Sequence, residues 1–249
     1  MITHLDEQIG RILETLHHSR HAGNTIVIFC VDHGLAVGSH GLLGKQNIYE
    51  HSMRVPLLFS GPGIPAGESH ALTYLLDVYP TICGLTGIAA PRELRGSDLA
   101  PLWKGESNAV REAIFLPYRD TQRAVRDERW KLHCYPQINH RLLFDLQRDP
   151  FEMHNLADVP AHADTLARML ALLQQCQRDF GDEQPLTVDE PSPRDWSLPD
   201  HIRVPDRCQP PWIREKYFAG VETSDEEKRI TAEEELRYGG SAATRQSRE

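Results

Sequence analysis

The most constraining stretch of this chain is Thr25-Ile26-Val27-Ile28-Phe29-Cys30-Val31, seven residues that are almost all β-branched or aromatic. A run without polar alternation reads as a strand buried on both faces. Upstream, Leu5, Ile9, Ile12, Leu13 and Leu16 recur at spacings of three and four, so residues 3 to 17 are predicted to form a helix with one buried stripe. The turn His21-Ala22-Gly23-Asn24 joins the two. A helix feeding a buried strand is the building unit of an α/β sheet. Val55 to Phe59, closed by Gly61-Pro62-Gly63, is a second strand of the same kind, and Leu75 to Leu85 is predicted to be helical, with Asp77 near its start.

The pattern changes near residue 112. The stretches AIFLP, QRAVRDERWKLHCY and HRLLFDL alternate or are β-rich and are separated by turn residues, as in antiparallel hairpins. Residues 161 to 180 carry Leu166, Met169, Leu170, Leu173 and Cys176 at helical spacing, a core-facing stripe. Residues 181 to 249 hold seven of the 17 prolines and the charged run SDEEKRITAEEELR, the composition of a mobile tail. The expected organisation is therefore an α/β part over 1–111, a small α+β subdomain over 112–180 and a polar tail over 181–249.

Composition matters mainly for what it excludes. A formal net charge of -9 leaves no basic excess to neutralise a phosphate backbone, so nucleic acid is not an expected partner. No apolar run approaches the roughly 18 residues that cross a bilayer. The five cysteines are widely spaced, odd in number and without a CxxC pair, which suggests buried thiols and not a disulfide framework or zinc cluster.

Between the two strands lies a polar, Gly- and His-rich segment of about 20 residues, longer than most connections in compact domains and so a candidate for function. Asp32 and His33 directly follow the first strand, and loops at the carboxyl ends of strands are where ligands collect in open α/β sheets. A carboxylate beside an imidazole can ligate a metal, and Gly34 allows a sharp exit. Alone, Asp-His-Gly reads first as a structural turn. Further on, His40 stands between Gly38 and Gly41, and Lys45 follows Gly44. Small residues let backbone approach a ligand, and an ammonium among them suits an oxyanion such as sulfate or phosphate. By itself Lys45 reads first as an ordinary exposed lysine.

Taken in order, DEQIGRILETL, NTIVIFCVDHG, GSHGLLGK, YEHSMRVPLLFSGPG, LLDVYPTICGLTGI and GSDLAPLW resemble the C-terminal part of the catalytic domain of the sulfatase family, within the alkaline phosphatase superfamily. RAVRDERWKLHCY and LLFDLQRDPFEMHNLAD resemble the hairpins of its C-terminal subdomain, so the likeness covers about residues 4 to 180. The resemblance implies an α/β fold with part of a sulfatase-type catalytic sheet and flanking helices. It implies that Asp32 and His33 bind a divalent cation, calcium in the family, and that Lys45 contacts the sulfate of a sulfated small molecule or glycan. His40 lies in the matching loop, either facing the substrate or supporting Lys45.

The departures bear on activity. Family members carry a Cys-x-Pro/Ala-Ser-Arg motif whose cysteine becomes formylglycine, and none of the five cysteines here begins that pattern. The Asp-Asp metal ligands and the leaving-group histidine expected upstream in the family have no counterpart in this sequence. The expectation is a sulfuric ester hydrolase fragment, the C-terminal half of a coding sequence cut by a frameshift, a mis-assigned start or an assembly break, and inactive without its N-terminal half. The rival readings are a phosphoester or phosphonate hydrolase of the same superfamily and a noncatalytic module that binds anionic sugars or a protein.

Overall fold

A computed structural model describes residues 1–195 together with Trp212 and Lys216. Residues 1–194 form one compact unit and 195–249 a second. Within the first, the chain runs from helix α1 (Ile2–His17) through strand β1 (Val27–Cys30), helix α2 (Glu50–Met53), strand β2 (Leu57–Ser60) and helices α3 (Val78–Thr86) and α4 (Ala100–Trp103). A four-stranded meander follows, β3 (Ile114–Tyr118), β4 (Gln122–Arg126), β5 (Trp130–Tyr135) and β6 (His140–Asp145), and helix α5 (Ala163–Phe180) closes it.

β1 pairs with β2 in antiparallel register, Val27 opposite Ser60 and Cys30 opposite Leu57. The strand read as buried on both faces is not: Val27 and Ile28 are half-buried, while Phe29 and Cys30 are exposed. The stripe of α1 is likewise uncovered, with Leu5 60%, Ile12 69% and Leu13 44% exposed and no residue of the helix buried. Hydrophobic patterning reports the face a segment would bury, and here no described element lies over these faces to bury them. Cys30 is therefore a surface thiol; Cys83 and Cys134 are buried and Cys176 partly so.

The core lies in the second half. The order of the second sheet is β3-β4-β5-β6, all antiparallel. On one face Phe115, Val125, Leu132, Cys134 and Leu143 pack against Met169 and Leu173 of α5. Those two positions belong to the stripe read from the sequence, and both are 0% exposed. Gly181 ends α5 in the left-handed conformation, φ 68°, where glycine carries no Cβ penalty, and Asp182 N donates to the Gln177 carbonyl at 2.8 Å.

Asp77 ties together the segments that lead into the second sheet. Fully buried, it takes both guanidinium nitrogens of Arg111 and the backbone N–H groups of Tyr74 (2.6 Å) and Ser97 (2.8 Å). The residue expected near a helix start is thus the hub of a paired, hydrogen-bonded ion site, the arrangement that makes a buried carboxylate tolerable.

The tail expected from residue 181 begins inside this packing. Arg123 holds the Asp182 carboxylate through two nitrogens at 2.7 and 2.8 Å, Asn139 exchanges two hydrogen bonds with Val188, and Ser192 N donates to the Gln137 carbonyl. Proline content marks where helices and strands cannot run, and a segment lacking both still docks if its backbone groups find partners. The remainder of the expected tail, 196–249 apart from Trp212 and Lys216, lies outside the described residues.

Candidate functional site

The long loop leaves β1 and returns to the fold through α2. Gly34 N donates to the Ser52 carbonyl at 2.8 Å, closing the loop at its base. Inside it, Ala36 N donates to the Gly44 carbonyl at 3.1 Å, and Asn47 N donates to the Lys45 carbonyl at 2.8 Å. Val37 and His40 take positive φ, 48° and 55°, so the tight path is held by its hydrogen bonds against local preference.

Three of the four residues singled out in the sequence meet. The Lys45 ammonium hydrogen-bonds His33 Nε2, and Asp32 Oδ2 lies 3.2 Å from that same nitrogen. His33 Nδ1 lies 2.9 Å from the Gly34 carbonyl, and Nε2 faces both the Lys45 ammonium and the Asp32 carboxylate. The Asp32 carboxylate is 80% exposed, with Oδ1 capping the His33 N–H at 2.9 Å. The result is an open spot where a carboxylate, an imidazole nitrogen and a cation converge.

A calcium ion takes six to eight oxygen donors. Asp32 and His33 offer one carboxylate and one nitrogen, the nitrogen already engaged by Lys45, and among the described residues no group of three or more His, Cys, Asp or Glu side chains could hold a metal ion. These residues do not fit a calcium ion by themselves.

His40 lies elsewhere. Its ring stacks on Tyr49 with centroids 3.9 Å apart, and Nε2 donates to the Glu152 carbonyl at 3.0 Å. Under this end of the loop, on the face of the second sheet opposite α5, is a buried charged cluster that the sequence did not reveal. Lys131 Nζ reaches Glu50 Oε1 at 2.9 Å and Glu152 Oε1 at 3.0 Å. Arg126 holds Glu50 Oε2 at 2.7 Å, and His133 Nε2 donates to Glu152 Oε1 at 3.0 Å. Lys131 and His133 are 0% exposed and Glu152 2%.

Burial pushes the His133 imidazolium down to about 4, so the ring is neutral near pH 7 in spite of its carboxylate partner. Burial works the other way on Glu152, raising it, but the His133 hydrogen bond and the Lys131 charge win and hold the carboxyl at about 2. Two carboxylates thus face two cations, and the cluster is charge-balanced.

The family described as N-sulphoglucosamine sulphohydrolase, C-terminal, matches residues 38–179, and the chain belongs to the sulfatase family as a C-terminal portion. A choline-sulfatase from Rhizobium meliloti is 38% identical over 168 residues, 64% of this chain and 32% of that protein. The structure of BT4656 in complex with its substrate D-glucosamine-2-N,6-O-disulfate superposes with a TM-score of 0.69 at 28% identity, covering 74% of this chain and 40% of that one. A phosphonate monoester hydrolase of Agrobacterium radiobacter gives a TM-score of 0.62 at 29% identity over 72% and 40% of the two chains. The chain therefore spans about a third to two fifths of the length of these relatives.

Proposed function

We propose that this chain forms the sulfate-facing C-terminal part of a sulfuric ester hydrolase, with Lys45 as the residue that touches the sulfate. The observation that carries this is the convergence of Lys45 with Asp32 and His33 at the carboxyl end of β1. In that role the ammonium neutralises charge on the sulfate oxygens as the ester bond breaks, an electrostatic contribution that needs no proton transfer. His40, turned toward Tyr49 and Glu152, supports the loop and does not face the substrate. Asp32 and His33 serve as two ligands of a divalent cation whose other donors, like the formylglycine nucleophile, come from protein outside these 249 residues. The calcium assignment rests on family resemblance alone.

The substrate class, a sulfated small molecule or glycan, is supported by the choline-sulfatase and by the relative solved with glucosamine disulfate. The second reading, a phosphonate or phosphoester hydrolase, is supported by the match to the phosphonate monoester hydrolase. A noncatalytic module fits less well, because a stand-alone binding domain is expected to cover its apolar faces and those of α1 and β1 are open. One experiment separates the three. The chain is joined to the N-terminal segment of a sulfatase relative carrying the Cys-x-Pro/Ala-Ser-Arg motif, matured to formylglycine, and assayed on a sulfate ester and a phosphonate monoester. Faster turnover of the sulfate ester is expected. Preference for the phosphonate establishes the second reading, and a folded fusion inert on both establishes the third.

A further inference from the structure

We propose that Glu152 is a positioning residue that latches the Lys45 loop onto the C-terminal sheet and thereby sets the geometry of the Asp32–His33–Lys45 group. The proposal deepens the sulfatase reading and rests on it for the meaning of the loop, though not for the latch itself.

Glu152 sits oddly for its sequence. Its neighbours Phe151 and Met153 are 76% and 63% exposed, while its charged side chain is buried. A φ of 57° produces this inversion, left-handed backbone that a non-glycine residue adopts only when its surroundings hold it there. Those surroundings are the loop and β5. Glu152 Oε2 accepts from Glu50 N at 2.6 Å at the start of α2, and its backbone carbonyl accepts from His40 Nε2 at 3.0 Å. Oε1 is shared by Lys131 and His133, both of β5.

One residue therefore grips the loop at two points, His40 and Glu50, which bracket Lys45. The grip is transmitted to the other two site residues through α2, because Ser52, two residues beyond Glu50, receives the Gly34 N–H that fixes the exit from His33. The carboxylate also neutralises a lysine with no access to water, so its charge, and not only its shape, is needed.

The test uses the full chain and does not depend on catalysis. Amide hydrogen exchange is measured in Glu152→Gln, which keeps shape and loses charge, and in Asp182→Asn, which weakens a comparably placed ion pair with Arg123 on the other face of the same sheet. Exchange at Gly34, Ala36 and Asn47 is expected to rise roughly tenfold or more in Glu152→Gln and to stay within about twofold in Asp182→Asn. The His40 ring supplies an independent signature: its nitrogen NMR signals report an Nε2–H tautomer in the parent chain and fast averaging in Glu152→Gln. If Glu152→Gln does not fold, His40→Phe, which keeps the stack on Tyr49 and deletes the bond to the Glu152 carbonyl, is expected to loosen residues 38–44 and leave β4 and β5 unchanged. Unaltered loop exchange and an unaltered His40 signal, or equal loosening by Asp182→Asn, overturns the latch. A loosened loop in a protein whose matured fusion hydrolyses no sulfate ester retains the latch and removes the sulfatase reading.

Discussion

A methyl group on Gly34 would lie 2.0 Å from the His51 carbonyl oxygen, far inside any van der Waals contact and against backbone that cannot swing away. Gly34→Ala must therefore part β1 from α2, just where His33 leaves the strand. A loss of about 2 kcal/mol or more is expected from urea unfolding, together with altered ring signals from His33. The half-built donor set makes a second residue-level prediction: calorimetry on this chain should detect calcium binding no tighter than about millimolar. Micromolar binding would mean that donors other than Asp32 and His33 have been overlooked.

The buried cluster fixes a pH dependence whose sign follows from its two shifted groups. His133 has a folded value of about 4, below the ordinary histidine value of 6.5, so unfolded chain binds its proton first as pH falls from 6.5 to 4. Glu152, at about 2 against 4.5, does the same from 4.5 to 2. Both contributions are present at neutral pH and are lost on acidification, on the order of a few kcal/mol together. The groups facing His133 and Glu152 are Lys131 on β5, Tyr135 at the end of β5, His40 and Tyr49 on the loop, and Glu50 and His51 on α2. Urea titrations should show stability falling from pH 7 to pH 5, with a shallower slope in His133→Gln. A slope unchanged by that substitution would place the acid sensitivity elsewhere.

Among the elements, α1 and α5 show the same sequence pattern with opposite burial. Leu173 and Met169 are fully buried, and Leu173→Ala is expected to cost about 2–5 kcal/mol. Ile12 is 69% exposed, and Ile12→Lys is expected to change stability by no more than about 0.5 kcal/mol in this chain. Equal costs in the two helices would show that α1 packs in solution as α5 does. The comparison also shows what the sequence could convey. Periodicity identified α1, β1, β2, α5 and the hairpins, because each depends on local spacing. It could not report exposure, which depends on what lies opposite.

β5 explains why half of the site went unseen. Trp130, Leu132 and Cys134 alternate with Lys131, His133 and Tyr135, a pattern that conventionally places the second set in water. Here the loop from β1 covers that face, and Glu50 and Glu152, 102 positions apart, supply the charges. No local pattern encodes such a meeting. Lys45 and the Asp32–His33 pair were legible because their chemistry is local to one loop, and they became specific only through the ordered family motifs. The latch could have been suspected only from a charged residue standing between two large apolar ones, Phe151 and Met153.

For the whole molecule, the open faces of α1 and the β1–β2 sheet govern behaviour in solution. Leu5, Ile12, Leu13, Phe29 and Leu58 are all more than a third exposed, and β1 and β2 form a sheet of only two strands among the described residues. Uncovered apolar faces and unpaired strand edges drive association. Sedimentation velocity is expected to show concentration-dependent self-association of the isolated chain, relieved when it is joined to the N-terminal segment of a sulfatase relative. A monomer at all concentrations would instead favour the stand-alone binding module.

The central claim is that Lys45 touches the sulfate, and the turnover number of the matured fusion tests it most directly. Lys45→Ala should lower kcat on a sulfate ester by about 10²–10³-fold, the usual effect of deleting one electrostatic donor at the reacting group. An unchanged rate in a correctly folded Lys45→Ala fusion would take Lys45 out of the site and the sulfatase assignment of this loop with it.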